Sequence, residues 1–414
     1  MSEPITILQS KRIILGVTGS IAVYKAVDLV SKLTQAGAQV DVIMTAAARQ
    51  FVTPLTFQAV TGRPIYTDMW QADSSGGLPT HIAHVGLGEG ADLLVVAPIT
   101  ANTVAKLAHG LADDLLSVTA LAARCPLLVA PAMDGGMYQH PATQSNLAAL
   151  RQRGVDVIEP DEGRFASGLV GKGRLPETSD LIGHIRRVLG RHGALAGRKV
   201  VVTAGGTREP LDPVRFITNR SSGKQGYALA QAAVDAGAQV TLITASDLPI
   251  PVGVTGIHVA SAAHMEQQVL EQVRQADALL MAAAVADFRP ENMADQKIKK
   301  KDDSDEAPTI KLARTPDILI SVKNQRSSGF PRLVVGFAAE SEHLLAHATE
   351  KLKRKGMDLL VANDITAADA GFEVDTNRVV ILDSSGGQLP IALASKTRIA
   401  EAIVQQVAQR LTQA

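Results

Sequence analysis

Residues 12–45 read RIILGVTGSIAVYKAVDLVSKLTQAGAQVDVIMT, and this stretch predicts the fold. Its opening run RIILGV and its closing run VDVIMT are short and apolar, as buried strands are. The segment IAVYKAVDLVSKLTQ between them has the apolar spacing of an amphipathic helix. The stretch therefore predicts a strand, a helix and a second strand parallel to the first, which is the repeating unit of α/β folds.

The pentapeptide AGAQV at residues 36–40 returns unchanged at residues 236–240. Each copy lies between a helix-like run and a strand-like run, so each glycine is predicted to end a helix. Because strands and helices alternate throughout both halves, we predict an α/β protein of two Rossmann-like domains, each a mostly parallel sheet with helices on both faces. The domains are 1–190 and 191–414. Duplication and chance both remain open as origins of the repeat.

Two further segments carry specific secondary-structure predictions. Residues 102–123, NTVAKLAHGLADDLLSVTALAA, read as one helix. The C-terminal part has two strand-like runs, NRVVILD and QLPIALA, followed by a predicted helix over residues 395–411.

Composition narrows the classes of function. Lys plus Arg and Asp plus Glu each total 41, so no bulk positive charge favours nucleic acid or an anionic membrane, and we expect small-molecule partners. The first residues lack the apolar core of a signal peptide and no apolar run is long enough to span a membrane, so a cytoplasmic location is expected. Cys125 is the single cysteine, and no His/Cys cluster has the spacing of zinc ligands.

Three motifs of the first half place small residues at the ends of predicted strands. GVTGSIA, residues 16–22, places small residues where a strand meets a helix, which suits either a phosphate site or a packing turn. With APITANTVAK, PAMDGGMY and His81, it resembles the flavin-dependent cysteine decarboxylases. That resemblance implies FMN contacts at Gly19, Ser20, Ile21, Thr45, Pro98, Thr100, Ala101, Asn102, Ala132 and Met133. His81 is the implied base, and His84 is a rival in the same segment.

The second half carries a different set of motifs. Residues 203–226, TAGGTREPLDPVRFITNRSSGKQG, are followed by AAAVADFRP, KIKK and GFAAE. In this order they resemble phosphopantothenate–cysteine ligase. The whole chain thus resembles the bifunctional phosphopantothenoylcysteine decarboxylase / phosphopantothenate–cysteine ligase family of coenzyme A synthesis. This implies that the C-terminal half activates phosphopantothenate with CTP and Mg²⁺ and adds cysteine, and that the N-terminal half decarboxylates the product.

The ligase resemblance assigns individual residues. Asn219 matches the asparagine at the acyl-cytidylate, Lys297 the lysine of a mobile loop, and Asp287 a residue at the cytidine. SSGK opens a helix that can cradle the substrate phosphate, with Arg215 nearby in sequence. Substrate or nucleotide contacts are implied at Arg215, Ser221, Ser222, Gly223, Lys224, Ala283, Ala284, Asp287, Pro316, Asp317, Ile318, Leu319, Phe337, Lys351 and Lys355. The Mg²⁺ ligands are not identified.

The decarboxylase motifs depart from the family at two positions. Asp134 stands where the family has asparagine, and Ser167 stands where its flap has a proton-donating cysteine. A serine hydroxyl is a much weaker acid than a thiol. We therefore predict that Asp134, held protonated between the flavin and the substrate carboxylate, supplies the proton. Donation by His81 or by another flap group, or an impaired domain, remain alternatives.

Three other interpretations assign the chain a different set of activities. The chain could be a ligase whose flavin domain has altered or incomplete decarboxylase chemistry, or one whose flavin domain serves only as an oligomerisation scaffold. An NAD dehydrogenase is disfavoured because neither glycine turn reads GxGxxG. The resemblance also implies a homo-oligomer, specifically a dodecamer, built from trimers of flavin domains and dimers of ligase domains.

Overall fold

The computed structural model of this protein describes residues 4–70, 83–165, 167–299, 309–326, 329–340, 344–364 and 374–413. The chain divides into two compact units, Met1–Gly190 and Arg191–Ala414. Among the helices of these described residues, none combines the length and the apolar character needed to cross a membrane. His81 lies outside the described ranges.

The first unit is built around one parallel sheet. Its elements are β1 (Arg12–Val17), α1 (Val23–Gln35), β2 (Gln39–Met44), α2 (Pro54–Thr61), β3 (Ile65–Tyr66), α3 (Ala83–Glu89), β4 (Leu93–Ile99), α4 (Ala101–His109), α5 (Leu115–Ala122), β5 (Leu127–Pro131), α6 (Gly135–Gln139), α7 (Pro141–Gln152), β6 (Asp156–Val157), β7 (Asp161–Arg164), β8 (Val170–Arg174) and α8 (Thr178–Gly190). Within the described ranges the sheet order is β3-β2-β1-β4-β5-β6, with parallel neighbours, and β7 and β8 form a separate antiparallel hairpin.

The second unit has a larger sheet of the same kind. Its elements are β9 (Lys199–Ala204), β10 (Arg208–Pro210), β11 (Phe216–Thr218), α9 (Lys224–Asp235), β12 (Gln239–Thr244), β13 (Val254–His258), α10 (Ala262–Gln272), β14 (Ala278–Met281), β15 (Phe288–Pro290), β16 (Leu312–Arg314), α11 (Ile318–Gln325), β17 (Leu333–Glu340), α12 (Leu344–Lys355), β18 (Leu359–Asp364), β19 (Thr376–Asp383), β20 (Gln388–Ser395) and α13 (Lys396–Gln413). The order, for the described strands, is β13-β12-β9-β14-β17-β18-β19-β20. The pairs are parallel as far as β18 and antiparallel beyond it.

Alternate residues of each central strand pack into cores on opposite faces of the sheet. In β1, Ile13 and Leu15 belong to one buried cluster and Ile14 to another. In β9, Val200 lies in one cluster and Val201 in the other. Side chains of a strand point alternately to its two faces, so helices cover both faces of each sheet. The predicted α/β fold with two Rossmann-like sheets is confirmed.

Both AGAQV stretches end a helix in the same way. Gly37 has φ 99° and Gly237 has φ 92°, in the left-handed region that favours glycine. The N–H of Ala38 donates to the carbonyl of Leu33, and the N–H of Ala238 donates to that of Ala233, each at 3.0 Å. These bonds satisfy carbonyls that the helix leaves open, and they turn the chain into β2 and β12. The prediction from the repeated pentapeptide is confirmed.

The single helix predicted over residues 102–123 is wrong. The chain forms two helices there, α4 and α5. Gly110 ends α4 in the left-handed conformation, with φ 69°. Asp114 then starts α5, because its carboxylate accepts from the N–H of Ser117 at 2.8 Å in a capping box. A glycine followed by a capping residue overrides the apolar spacing that continues through this segment.

Candidate active sites

The order of the first sheet places a crevice between β1 and β4. In such a sheet, ligands bind beyond the carboxyl ends of the strands at the point where the strand order reverses. The turns that follow β1 and β4 are tied together here by Thr18. Its hydroxyl donates to the carbonyl of Pro98 at 2.8 Å and accepts from the N–H of Thr100 at 3.0 Å. Two of the three motifs with predicted flavin residues therefore meet at this edge.

Gly19 and Ser20 connect this edge to its other neighbours. A Cβ atom at Gly19 would lie 2.5 Å from the Cβ of Ala47, so the β1 turn touches the loop after β2. That loop begins at Thr45, whose hydroxyl accepts from the N–H of Ala48 at 3.2 Å. The Ser20 hydroxyl faces the carbonyl of Ala132 at 3.4 Å, after β5.

The remaining predicted flavin residues are carried by the same loops. Pro98 and Ala132 are buried, whereas Ile21 and Asn102 are exposed. Thr100 caps α4, and Ala101 is the first residue of that helix. All the predicted flavin positions therefore lie at this one edge of the sheet. They are Gly19, Ser20, Ile21, Thr45, Pro98, Thr100, Ala101, Asn102, Ala132 and Met133.

The hairpin β7–β8 packs against the start of α6. The N–H of Met133 donates to the carbonyl of Gly173 at 3.0 Å. A Cβ at Gly173 would meet the Met133 carbonyl, so the two backbones are in direct contact. Glu159 strengthens this packing because it accepts from the Tyr138 hydroxyl at 3.0 Å and from the Lys172 ammonium at 2.6 Å. The Lys172 hydrogen bond is the largest cause that lowers the pKa of Glu159.

The hairpin places Ser167 on Asp134. The Ser167 hydroxyl donates to Oδ2 of Asp134 at 2.8 Å, and Oδ1 accepts from the N–H of Gly136 at 3.1 Å, which caps α6. The two positions at which the sequence departs from the decarboxylase motifs are therefore hydrogen-bonded partners. Cys125 precedes β5, whereas Asp134 follows it, so the thiol lies towards the opposite edge of the sheet. Burial raises the pKa of this half-buried thiol.

The second unit contains a cavity of about 680 Å³ beside β14, β17 and β18, which contribute Met281, Phe337 and Asn363 to its lining. Its lining includes most of the residues predicted to contact substrate or nucleotide: Asn219, Ser221, Ser222, Gly223, Lys224, Ala283, Ala284, Asp287, Pro316, Asp317, Ile318, Leu319, Phe337, Lys351 and Lys355. These residues come from five separate segments of the chain, and the parallel sheet brings them to one edge.

Asn219 is fixed against the segment that follows β14. Its side-chain amide donates to the carbonyl of Ala284 at 3.3 Å and to that of Val285 at 3.1 Å. The N–H of Ala284 in turn donates to the carbonyl of Gly205 at 2.9 Å. Because both amide contacts are to backbone carbonyls, the amide nitrogen can be assigned from its partners. The side-chain oxygen is thereby oriented away from these carbonyls.

Lysine side chains of the cavity are held by carboxylates. The Lys355 ammonium lies 2.9 Å from Asp317, whose other oxygen accepts from the N–H of Ile320 at 3.4 Å and caps α11. The Lys224 ammonium lies 2.6 Å from Asp375. Gly223 precedes Lys224 with φ 82°, and a Cβ there would crowd Ser246 at 2.8 Å. The SSGK turn therefore needs its glycine.

Two predicted site residues, Arg215 and Lys297, do not line this cavity. Arg215 binds Asp212 through Nε at 3.0 Å and Nη2 at 2.6 Å. Arg215 Nη2 also donates to the carbonyl of Ile298 at 2.7 Å, and Asp212 accepts from the N–H of Ile298 at 3.1 Å. The guanidinium beside Asp212 holds the pKa of that carboxyl well below its usual range. Arg215 thus anchors the loop that carries the exposed Lys297.

Sequence reasoning missed several polar residues of the cavity. Gln225, Arg314, Asn363, Asn377 and Lys396 also line it. The sequence patterns predict only a strand and a helix for the segments of Asn377 and Lys396. The signal that could have identified both residues is that each lies at the start of its element, where side chains can face a ligand. Among the described residues, no group of three or more His, Cys, Asp or Glu side chains could hold a metal ion.

Comparison with known proteins identifies both halves. The Flavoprotein family model matches residues 1–190, and the model of the DNA/pantothenate metabolism flavoprotein C-terminal domain matches residues 195–411. The coenzyme A biosynthesis bifunctional protein CoaBC of Mycobacterium tuberculosis is 49% identical over 96% of each chain. The protein of the same name from Bacillus subtilis is 45% identical over 97% of each. A solved C-terminal domain of CoaBC is 35% identical to this chain, with a TM-score of 0.46. The match covers 54% of this chain and 100% of the solved domain. The chain therefore belongs to the family of coenzyme A biosynthesis bifunctional proteins CoaBC.

Proposed function

We propose that the second unit joins cysteine to 4'-phosphopantothenate with CTP through an acyl-cytidylate, and that the first unit decarboxylates the product to 4'-phosphopantetheine with FMN. The chain is a decarboxylase and ligase of coenzyme A biosynthesis, as its near full-length match to bifunctional relatives indicates. The observation that supports the detailed assignment most is the cavity that gathers Asn219, Asp287 and the SSGK turn. Both alternatives that remove decarboxylation are disfavoured by the family match.

The ligase cavity suits a nucleotide triphosphate because cations dominate its lining. Lys224, Lys351, Lys355, Lys396 and Arg314 are its basic side chains, against the acids Asp287 and Asp317. Such a surface attracts polyphosphate and stabilises the charge that moves to the leaving group. Asn219 then orients the activated carboxyl group, and Asp287 can accept a hydrogen bond from a ribose hydroxyl. Mg²⁺ is expected to enter with the nucleotide, since phosphates supply many of its ligands.

The first unit has the features that FMN requires. Gly19 allows close backbone approach at the strand end, and the hydroxyls of Ser20, Thr45 and Thr100 supply donors beside two helix N-termini. The exposed side chain of Ile21 offers an apolar surface for a ring. When bound, the flavin supplies two-electron oxidation of a thiol and the later reverse step. His81 remains the predicted base for the first of these steps.

The Asp134–Ser167 pair is the proposed source of the proton for the final reduction. A carboxyl at Asp134 is a far better acid than a serine hydroxyl, and the 2.8 Å contact allows Ser167 to pass a proton or to hold the acid in place. The approach of a substrate carboxylate would favour the protonated form of Asp134, because two adjacent carboxylates repel. The chain's own acid thereby replaces the flap thiol.

The deciding experiment supplies purified, flavin-loaded protein with synthetic phosphopantothenoylcysteine without air, and separately with phosphopantothenate, cysteine and CTP. The expected products are phosphopantetheine and phosphopantothenoylcysteine, identified by mass. A decarboxylated product two hydrogens lighter would mean that reduction fails and would contradict the proposed first reaction. Replacement of CTP by ATP in the second assay tests the nucleotide. The dodecameric state and the cytoplasmic location stay predictions.

A further inference from the structure

We propose that Phe165 is a positioning residue for the final reduction: its ring holds the tip of the β7–β8 hairpin so that Ser167 contacts Asp134 before substrate binds. The inference rests on the proposed role of Asp134 as the proton source. The hairpin tip consists of Phe165, which directly follows β7, together with residues 167–169, which precede β8. Phe165 is half-buried, whereas Ser167 is exposed.

The ring of Phe165 lies in a gap that three glycines leave open. Cβ atoms at Gly135 and Gly171 would lie 3.1 and 3.3 Å from the ring atom Cε2. A Cβ atom at Gly173 would lie 3.2 Å from Cε1, on the other edge of the ring. Carbon atoms pack best at about 3.5–4.0 Å, so a side chain at any of these positions would press on the ring.

This glycine gap is formed jointly by the hairpin and by helix α6. Gly171 and Gly173 are two residues apart on β8, so they lie on one face of that strand. Gly135 is the first residue of α6 and directly follows Asp134, which caps the helix. The ring thus contacts the hairpin's own backbone and the start of α6 together. Dispersion contacts on several sides of an aromatic ring therefore fix the hairpin to this helix.

Backbone hydrogen bonds link Ser167 to the position of the ring. The N–H of Phe165 donates to the carbonyl of Leu169 at 2.8 Å, and the N–H of Gly168 donates to the carbonyl of Phe165 at 3.0 Å. Gly168 has φ 89°, a conformation that favours glycine. Since both bonds end on Phe165, the place of its ring also sets the place of Ser167, whose hydroxyl lies 2.8 Å from Asp134.

Placement matters here because proton transfer depends on geometry. The reduction adds a hydride to one carbon and a proton to the other carbon of the substrate's double bond, which becomes a single bond. The hydride returns the electron pair that the oxidation removed, and the proton comes from Asp134, which is left as a carboxylate. A misplacement of about 1 Å can slow such a step about 100-fold. Phe165 takes no part in these bond changes and acts only through the Ser167–Asp134 contact.

The first test measures amide hydrogen exchange by mass spectrometry on the flavin-loaded full chain before substrate is added. The wild-type peptide that spans β7 and β8 is expected to be protected. In Phe165→Ala it should exchange about 10-fold faster or more, because the hairpin loses its contact with α6. Val170→Ala is the matched control, since Val170 is an exposed apolar residue of the same hairpin. Exchange in Phe165→Ala equal to that of wild type would overturn the proposal.

The second test separates positioning from a general structural role. Phe165→Ala, given phosphopantothenoylcysteine without air, should oxidise the substrate within about twofold of the wild-type rate, measured as loss of flavin absorbance. Full reduction to phosphopantetheine should slow about 10-fold or more, so that the product two hydrogens lighter accumulates. Phe165→Leu, which keeps a large apolar side chain, should recover part of the loss. Equal slowing of oxidation and reduction would overturn the positioning role.

Gly171→Ala disturbs the same contact while Phe165 stays in place. Its methyl group would lie 3.3 Å from the ring, so the ring must shift. We expect slower reduction than in wild type, and a loss in the double variant with Phe165→Leu that is less than additive, because the two residues touch. Additive losses would contradict the proposal. If Phe165→Ala does not fold, normal reduction in both Phe165→Leu and Gly171→Ala would overturn it.

The outcome is separable from the proposed proton source. Slow reduction in Asp134→Asn with normal reduction in Phe165→Ala would keep the acid and reject Phe165 as its positioning residue. Normal reduction in Asp134→Asn would reject the acid itself, and with it the reason for placing Ser167.

Discussion

The hydroxyl of Ser167 donates a hydrogen bond of 2.8 Å to a carboxylate oxygen of Asp134. These two residues are 33 positions apart, and each stands at one of the two places where the chain departs from the flavin decarboxylase motifs. Because they are in contact, the two differences from the decarboxylase motifs belong to one hydrogen-bonded pair of side chains. A carboxyl and a hydroxyl here stand at the positions where the decarboxylase motifs have an amide and a thiol.

The first prediction concerns this pair. In Asp134→Asn we expect the final reduction to slow by about 100-fold, since general acid catalysis contributes on that scale. A product two hydrogens lighter than phosphopantetheine should then accumulate, as measured by mass under air-free conditions. Ser167→Cys should retain reduction, and Leu169→Ala, an exposed change in the same hairpin, is the control. A normal rate of fully reduced product from Asp134→Asn would reject the role of this acid.

The second prediction concerns flavin binding. In Gly19→Ala the added methyl group would lie 2.5 Å from the Cβ of Ala47, so the β1 turn must shift. Overpacking of this kind costs about 1–3 kcal/mol, and the shift moves Ser20. We expect FMN affinity to fall at least about 10-fold, measured by quenching of flavin fluorescence. The double variant with Ala47→Gly should recover part of the loss; equal losses in the single and double variants would count against this contact.

The third prediction separates the two reactions. Asn219→Asp replaces an amide donor with a carboxylate that faces the carbonyls of Ala284 and Val285, where it repels them. Ligation should fall at least about 100-fold. Decarboxylation of supplied phosphopantothenoylcysteine should stay within twofold of wild type, because Asn219 lies in the other unit. Equal losses of ligation and decarboxylation would mean that the substitution disturbs the folding of the whole chain rather than the ligase site.

The fourth prediction concerns the loop that carries Lys297. Asp212→Asn weakens the contacts with Arg215 and with the N–H of Ile298, so the loop should loosen. We expect faster proteolytic cleavage near residues 294–299 and a several-fold lower kcat of ligation. Asp247→Asn is the control, because Asp247 is an exposed acid that also pairs with an arginine, Arg208. Unchanged cleavage and kcat in Asp212→Asn would exclude a positioning role.

The fifth prediction concerns acid stability of the first unit. Burial, and then the charge of Arg187, lower the pKa of His184 from 6.5 to about 4, and its buried Nδ1 has no hydrogen-bond partner among the described residues. The unfolded chain therefore binds a proton between these pH values that the folded chain does not. Stability from the neutral ring is complete above pH 6.5 and is lost as the pH falls towards 4.

The measurement is the thermal unfolding midpoint of the first unit across this pH range. We expect a smaller fall in His184→Leu than in wild type, and a wild-type fall in His109→Leu, where the histidine is exposed. The same fall in His184→Leu as in wild type would show that other groups control the acid response.

Local sequence was informative wherever neighbouring residues decide the structure. The capping glycines 37 and 237 and the apolar strands are set by local backbone geometry and by hydrophobic period, and both were predicted. The prediction of one helix over residues 102–123 is wrong because Gly110 ends α4 and Asp114 starts α5, despite the apolar spacing that continues around them. Start positions were less exact: α1 begins at Val23, two residues beyond the predicted start, because the turn at Ser20 continues.

The sequence by itself determined the two α/β sheets and, through its motifs, most of the residues of both candidate sites. Only the tertiary structure decided which distant side chains meet. It directed Arg215 to Asp212 rather than to the cavity, placed Ser167 on Asp134, and brought Lys396 to the cavity that Lys224 also lines. The physical reason is that period and capping act over a few residues, whereas these contacts depend on how hairpins and helices pack across the sheet, which no local pattern records.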